Sequence, residues 1–93
     1  MPIMSINFKW DLEKNKTLIQ DRGLCFEDVV SIIYEDKIID AIKHPNQAKY
    51  PNQSIYIVEL MGYVCIVPYV KNDNEIFLKT IVPSRKMHKK YKG

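Results

Sequence analysis

The chain ends in a cluster of basic residues whose side chains can hold an anion. Residues 83–93 read P-S-R-K-M-H-K-K-Y-K-G, and the five Lys and Arg residues of this ending stand without an acidic residue among them. Residues 1–83 contain the other 9 basic and all 11 acidic residues, a balance of −2. Because the excess positive charge lies at one end, the sequence indicates either a solvated tail or a surface for a polyanionic or acidic partner.

Arg85 and His88 have the most specific chemistry in this ending. The planar guanidinium of Arg85 can bind two phosphate oxygens at once, but a surface arginine that only covers apolar neighbours is the alternative interpretation. His88 can transfer protons near neutral pH, although a single exposed histidine is more often inert. Their spacing of three residues places them on one side of a helix. The second histidine, His44, precedes Pro45 in a polar loop and joins such a site only if the fold brings it there.

Lys79 and several tyrosines are further candidates for a binding site. Lys79 lies in the run I-F-L-K-T-I-V, where strand alternation predicts that it shares a face with Phe77 and Ile81. A lysine there either extends to solvent from the open side of a sheet or belongs to a site. The tyrosines near the C-terminal half can stack on unpaired bases or pack half-buried in strands. They are Tyr56, Tyr63, Tyr69 and Tyr91.

Two helices are predicted in the first third of the chain. Asp11 can cap a helix over residues 12–22, which should end at Gly23 because glycine adopts the left-handed conformation after a last turn. A second helix is predicted over residues 25–36. Its apolar residues recur at helical spacing and should face the core. They are Phe26, Val29, Val30 and Ile33.

Five strands and a short last helix complete the predicted order. The strands cover residues 4–10, 38–42, 54–60, 63–70 and 76–82. Met61-Gly62 indicates a hairpin with a type I′ turn, which Met61 would strain. Pro83 should end the last strand, and Ser84 can cap a helix that runs through Tyr91. The order β-α-α-β-β-β-β-α predicts an α+β fold, in which an antiparallel sheet of four to five strands carries the two N-terminal helices on one face.

Composition and cysteine usage limit the class of protein. With 93 residues, 46% apolar and 27% charged, the chain has the composition of one globular domain, residues 1–93. Cys25 and Cys65 match no metal-ligand spacing and are expected to be reduced structural thiols. The N-terminus lacks the pattern of a secretory signal, and the longest apolar run, residues 63–70, is too short for a membrane span. We therefore expect a cytoplasmic protein without membrane partners, metal or cofactor.

Three stretches together resemble one family of small proteins. They are F-K-W-D-L-E-K-N-K at residues 8–16, G-L-C-F-E-D-V-V at residues 23–30, and I-F-L-K-T-I-V-P-S-R-K at residues 76–86. With the order of elements, they are similar to the BrnT-type toxins of the RelE/ParE toxin–antitoxin superfamily. The resemblance covers the chain from Phe8 to Tyr91 and implies a RelE-like fold.

The resemblance also implies a function. It is that of an endoribonuclease toxin that arrests translation, with or without the ribosome, and is neutralised by a cognate antitoxin. Attack by a 2′-hydroxyl needs a base, positive charge at the phosphate, and an acid for the leaving oxygen. In this family such chemistry uses Arg, Lys and Tyr and needs no metal. The candidate catalytic residues are then Arg85, His88 and Lys79, and the candidate RNA-binding residues are Lys86, Lys89 and Tyr91.

The alternative to an enzyme is a binding module with the same basic ending. It would hold RNA or an acidic protein without cutting it. Two departures from the family favour this alternative: no arginine opens the strand that begins at Asn52-Gln53-Ser54, and no glutamate stands within Met87-His88-Lys89-Lys90. A third interpretation is that the ending only increases solubility.

Overall fold

The computed structural model describes residues 6–92, and its elements follow the predicted order with one strand added. The helices are α1 (Leu12–Arg22), α2 (Phe26–Tyr34) and α3 (Arg85–Lys92). The strands are β1 (Asn7–Lys9), β2 (Asp40–Lys43), β3 (Gln53–Leu60), β4 (Tyr63–Asn72), β5 (Glu75–Leu78) and β6 (Val82–Pro83). Within this range, none of the helices has the length and apolar character needed to cross a membrane. Met4 and Ser5, the start of the first predicted strand, lie outside the described residues.

The strands form one mixed sheet in the order β1-β5-β4-β3-β2, with β6 paired to β4. β1 runs parallel to β5, with Phe8 opposite Ile76, and every other pair is antiparallel. The prediction of an antiparallel sheet was therefore wrong for β1. β1 does not pair with β2, the next strand in the chain, because α1 and α2 carry the chain from the β1 edge of the sheet to the β2 edge. It pairs instead with β5, which runs in the same direction.

Local signals at both ends of α1 act as the sequence predicts. The Asp11 carboxylate accepts hydrogen bonds from the backbone N–H groups of Glu13, at 2.8 Å, and Lys14, at 3.2 Å. Gly23 adopts a left-handed conformation with φ of 69°, and its N–H donates to the Ile19 carbonyl. These bonds satisfy backbone groups that a helix leaves unpaired at its ends.

The start of α2 is capped by a residue of α1. Cys25 makes no side-chain capping bond, but the Asn15 Oδ1 accepts from the buried N–H of Phe26 at 2.9 Å. The Asn15 Nδ2 donates to the Glu27 Oε1, also at 2.9 Å. The hydrogen bond from Asn15 lowers the pKa of the Glu27 carboxyl. Asn15, the buried polar residue among the described ones, thus joins the two helices.

The sheet has an apolar core on each face. The larger core packs α1 and α2 against the sheet, which confirms that both N-terminal helices lie on one face. Its fully buried members include Phe26, Val29 and Leu78. The smaller core lies on the opposite face and is covered by Met87 and Tyr91 of α3. The molecule therefore has three layers, with the sheet between the N-terminal helices and α3.

A β-bulge divides the last predicted strand. Tyr69 of β4 lies opposite Leu78, whereas Ile66 lies opposite Val82, so the returning chain holds one extra residue. The extra residue reverses the alternation, and both Leu78 and Ile81 face the larger core. Lys79 therefore does not share a face with Ile81. The expectation of one continuous strand over residues 76–82 was wrong at this point.

Met61 and Gly62 form the tight turn between β3 and β4. Both have positive φ, 53° and 77°, as a type I′ turn requires. Met61 is 78% exposed, so its side chain gains little from packing. A left-handed backbone costs a residue other than glycine roughly 1–2 kcal/mol.

We expect Met61→Asn to stabilise the protein by about 1 kcal/mol, because asparagine tolerates this conformation and Asn-Gly is a favoured type I′ pair. Denaturant unfolding should show a higher midpoint with an unchanged slope. Met61→Val is the control, because a β-branched side chain is strained at positive φ and should lower the midpoint. Equal midpoints for both variants would contradict the strain at this turn.

The two cysteines are free thiols, as predicted. Burial raises the pKa of the Cys65 thiol within β4 and also that of Cys25 before α2. Both thiols are therefore weak nucleophiles, which is typical of structural cysteines.

Candidate nucleic-acid interface on the C-terminal helix

The first turn of α3 is tied to the end of β4. The Ser84 Oγ accepts from the Met87 N–H at 3.2 Å, which is the predicted N-cap. The Ser84 N–H donates to the Val64 carbonyl at 3.0 Å and continues the pairing of β6 with β4. The helix therefore starts at a fixed point on the sheet.

The inner face of α3 packs on the smaller core. Met87 and Tyr91 cover this core, and the Tyr91 hydroxyl donates to the Asp40 Oδ2 at 3.1 Å. The Lys92 Nζ lies 3.2 Å from the Glu59 Oε1. An eight-residue helix is not stable alone in water, so these contacts with the sheet hold α3 in place.

His88 also faces the sheet. Its Nδ1 accepts a hydrogen bond from the Val64 N–H at 3.2 Å, and its ring stacks on Tyr63 with centroids 4.2 Å apart and an interplanar angle of 7°. An accepting Nδ1 has no proton, so the neutral ring carries its hydrogen on Nε2. His88 thus offers a donor to solvent and contributes to the docking of α3.

The outer face of α3 carries four exposed cations, which we call the cationic face. They are Arg85, Lys86, Lys89 and Lys90. Within residues 6–92, none of the four takes part in an ion pair. The pairs 85/89 and 86/90 are spaced i, i+4, with Cβ atoms about 5–6 Å apart, so like charges repel each other along the helix. An anion bound on this face would relieve that repulsion.

The structure does not bring all predicted catalytic residues together. The Lys79 N–H donates to the Pro68 carbonyl, whereas His88 contacts Val64 of the same strand. Four residues of a strand span about 13 Å, which separates Lys79 from His88 along β4. Arg85 lies on the outer face of α3 and His88 on the inner side. Of the six predicted residues, Arg85, Lys86 and Lys89 are exposed on the cationic face. His88 and Tyr91 contact the sheet, and Lys79 lies apart from them along it.

Two acidic residues that position α3 were missed from the sequence. Asp40 and Glu59 anchor Tyr91 and Lys92, although the pairs are 51 and 33 residues apart in the chain. The sequence signal that could have indicated this anchor was Glu59, which is a single charged residue in the apolar run S-I-Y-I-V-E-L. His44 lies in the loop after β2, where its Nδ1 accepts from the Asn46 N–H.

Comparison of the chain with protein-family models, with curated proteins and with solved structures finds no match. The RelE-like fold and the resemblance to BrnT-type toxins therefore stay predictions. Among residues 6–92, no cluster of three or more His, Cys, Asp and Glu side chains is arranged to hold a metal ion.

Proposed function

We propose that the chain binds single-stranded RNA through the cationic face of α3. The observation that carries the proposal is the set of four exposed cations without acidic partners, on a helix held to the sheet by its opposite side. Lysine and arginine neutralise backbone phosphates and release counterions, which supplies most of the affinity in binding without sequence preference. Because α3 is already docked on the sheet, the protein needs little ordering when the RNA binds.

The Tyr63–His88 pair favours single-stranded RNA over an acidic protein as the partner. The two half-buried rings stack in parallel beside the cationic face. Unpaired bases stack on aromatic and histidine rings, and such contacts are typical of proteins that recognise single strands. Tyr91, by contrast, is engaged with Asp40 and serves to anchor the helix.

The second candidate function is that of a BrnT-type endoribonuclease toxin in the cytoplasm, neutralised by a cognate antitoxin. His88 favours it, because an Nε2–H donor near the cationic face could assist at a phosphate oxygen. The same tautomer leaves His88 without a free lone pair, so the base for a 2′-hydroxyl must be another group. Lys79 is too far along β4 to complete a site with His88. RNA binding therefore has the stronger geometric support.

A labelled single-stranded RNA distinguishes the two functions. We expect fluorescence anisotropy to rise on addition of the protein, and a denaturing gel of the same samples to show intact RNA. Cleavage products that disappear in Arg85→Gln would support the toxin instead, as would growth arrest on expression that this variant relieves. Absence of both binding and cleavage would contradict both proposals.

A further inference from the structure

A second surface of the molecule has the chemistry of a small-ligand site. A pocket of about 240 Å³ lies between α1 and the bulge that separates β5 from β6. It is on the face of the sheet that carries the larger core, opposite α3. Its lining includes Lys14, Leu18, Asp21 and Arg22 of α1 and Thr80 and Ile81 of the bulge.

The pocket has an apolar floor and a charged rim. Leu18 and Ile81 are buried members of the larger core, which forms the floor. Lys14, Asp21 and Arg22 are exposed, and none of them takes part in an ion pair within residues 6–92. The rim therefore presents two cations and one carboxylate whose charges are not neutralised by direct partners.

Thr80 and Ile81 of the bulge line the same pocket. Lys79 donates to Pro68, and strand pairing resumes at Val82, so Thr80 and Ile81 lie outside the regular ladder. Among the described residues, neither the Thr80 nor the Ile81 N–H donates a backbone hydrogen bond. Their amide groups therefore serve as reporters of a ligand bound in this pocket.

The order of residues along α1 gives the pocket two chemically different ends. Lys14 is eight residues before Arg22, so their Cα atoms are about 12 Å apart along the helix. Lys14 lies in the first turn, whose N–H groups already bond the Asp11 carboxylate, so its ammonium group is what this end offers to an anion. The other end holds Asp21 and Arg22, an acceptor and a donor suited to sugar hydroxyl groups. The volume is below the roughly 300–1,000 Å³ of pockets for drug-sized ligands, which indicates a compact ligand.

We infer that this pocket binds a small sugar phosphate, with its phosphate at Lys14 and its hydroxyl groups at Asp21 and Arg22. The apolar floor contacts the carbon skeleton of the sugar. The site is independent of RNA binding by α3, because no residue of the cationic face lines it.

The test uses ribose 5-phosphate as the probe and the full chain labelled with ¹⁵N. We expect saturable shifts of the Thr80 and Ile81 amide signals with ribose 5-phosphate, and weaker binding of both ribose and inorganic phosphate. Lys14→Gln should weaken ribose 5-phosphate binding by about ten-fold and leave ribose binding unchanged, because only the charged contact to phosphate is lost. Asp21→Asn should weaken ribose 5-phosphate and ribose alike.

Lys16→Gln is the matched control, since Lys16 lies on α1 beside Glu13 and does not line the pocket. It should leave the affinities for ribose 5-phosphate and for ribose unchanged. The inference is overturned if ribose 5-phosphate gives no saturable shift at millimolar concentration, or if inorganic phosphate binds equally well. Binding of a 5′-phosphorylated RNA here without binding of ribose 5-phosphate would also overturn it. Spectra of the free variants, with the dispersion of the parent chain, establish that each is folded.

Discussion

Replacement of Asn15 by alanine is expected to lower the free energy of unfolding by about 2–3 kcal/mol. The change removes the acceptor of the buried Phe26 N–H, and an unsatisfied buried donor costs about 1–3 kcal/mol. It also removes the hydrogen bond to the Glu27 carboxylate. Alanine has the higher helix propensity, which offsets a few tenths of a kcal/mol. In a domain of this size the melting temperature should fall by roughly 10–20 °C.

Thr17→Ala is the control for this substitution. Thr17 lies on the same helix, is exposed, and donates only to the Glu13 carbonyl of its own helix. Both variants gain helix propensity from alanine, so their difference isolates the contact between α1 and α2. Thermal unfolding followed by circular dichroism measures both. If the two variants melt at the same temperature, Asn15 does not hold the helices together.

The contact of Asn15 with Glu27 also predicts a pH dependence. The hydrogen bond from Asn15 lowers the pKa of Glu27 in the folded state, so the carboxylate stabilises the protein at any pH above the ordinary pKa of a glutamate. This stabilisation is lost as the pH falls through the folded pKa. The Asn15→Ala variant should therefore lose less free energy of unfolding than the parent chain when the pH is lowered from 5. Denaturant midpoints at each pH measure this loss.

Capping and turn residues were predicted from the sequence because their partners are near in the chain. The capping bonds of Asp11, Gly23 and Ser84 reach backbone groups at most five residues away, and Met61-Gly62 specifies its own turn. The hydrophobic spacing of the second helix was sufficient to place Phe26 in the core. Local chemistry thus determined the type and order of nearly all elements.

Features that depend on distant partners were not predictable in the same way. The cap of α2 comes from Asn15, and the register of β1 depends on β5, far along the chain. At the candidate interface, spacing predicted that Arg85 and His88 share one side of α3, but packing on the sheet places His88 on the inner side and Arg85 on the outer face. The bulge beside Lys79 shows the same limit, because one inserted residue reverses the face that alternation assigns.

Neutralisation of the cationic face is expected to abolish most RNA binding and its dependence on salt. The variant replaces Arg85, Lys86, Lys89 and Lys90 by glutamine. Four phosphate contacts to a single strand give a slope of about −2.8 in log K against log salt, or about 50-fold weaker binding between 50 and 200 mM salt. The variant should bind at least that much more weakly at low salt, with a slope near zero.

This substitution should not unfold α3. Glutamine is a good helix former, and the change removes two i, i+4 repulsions worth about 0.2–0.5 kcal/mol each. The residues that hold the helix on the sheet, Met87, His88 and Tyr91, stay unchanged. The melting temperature of the variant should therefore equal or exceed that of the parent chain, so that any loss of binding reports on the charges alone.

A second quadruple variant separates the position of the charges from their number. Lysines at four exposed positions outside α3 are replaced by glutamine, which gives the same net charge. They are Lys16, Lys37, Lys49 and Lys71. If binding depends on α3, this variant retains the salt slope of the parent chain, and Arg85→Gln alone reduces the slope by about 0.7. Equal losses in both quadruple variants would mean that total charge attracts the RNA and that α3 is not its binding site.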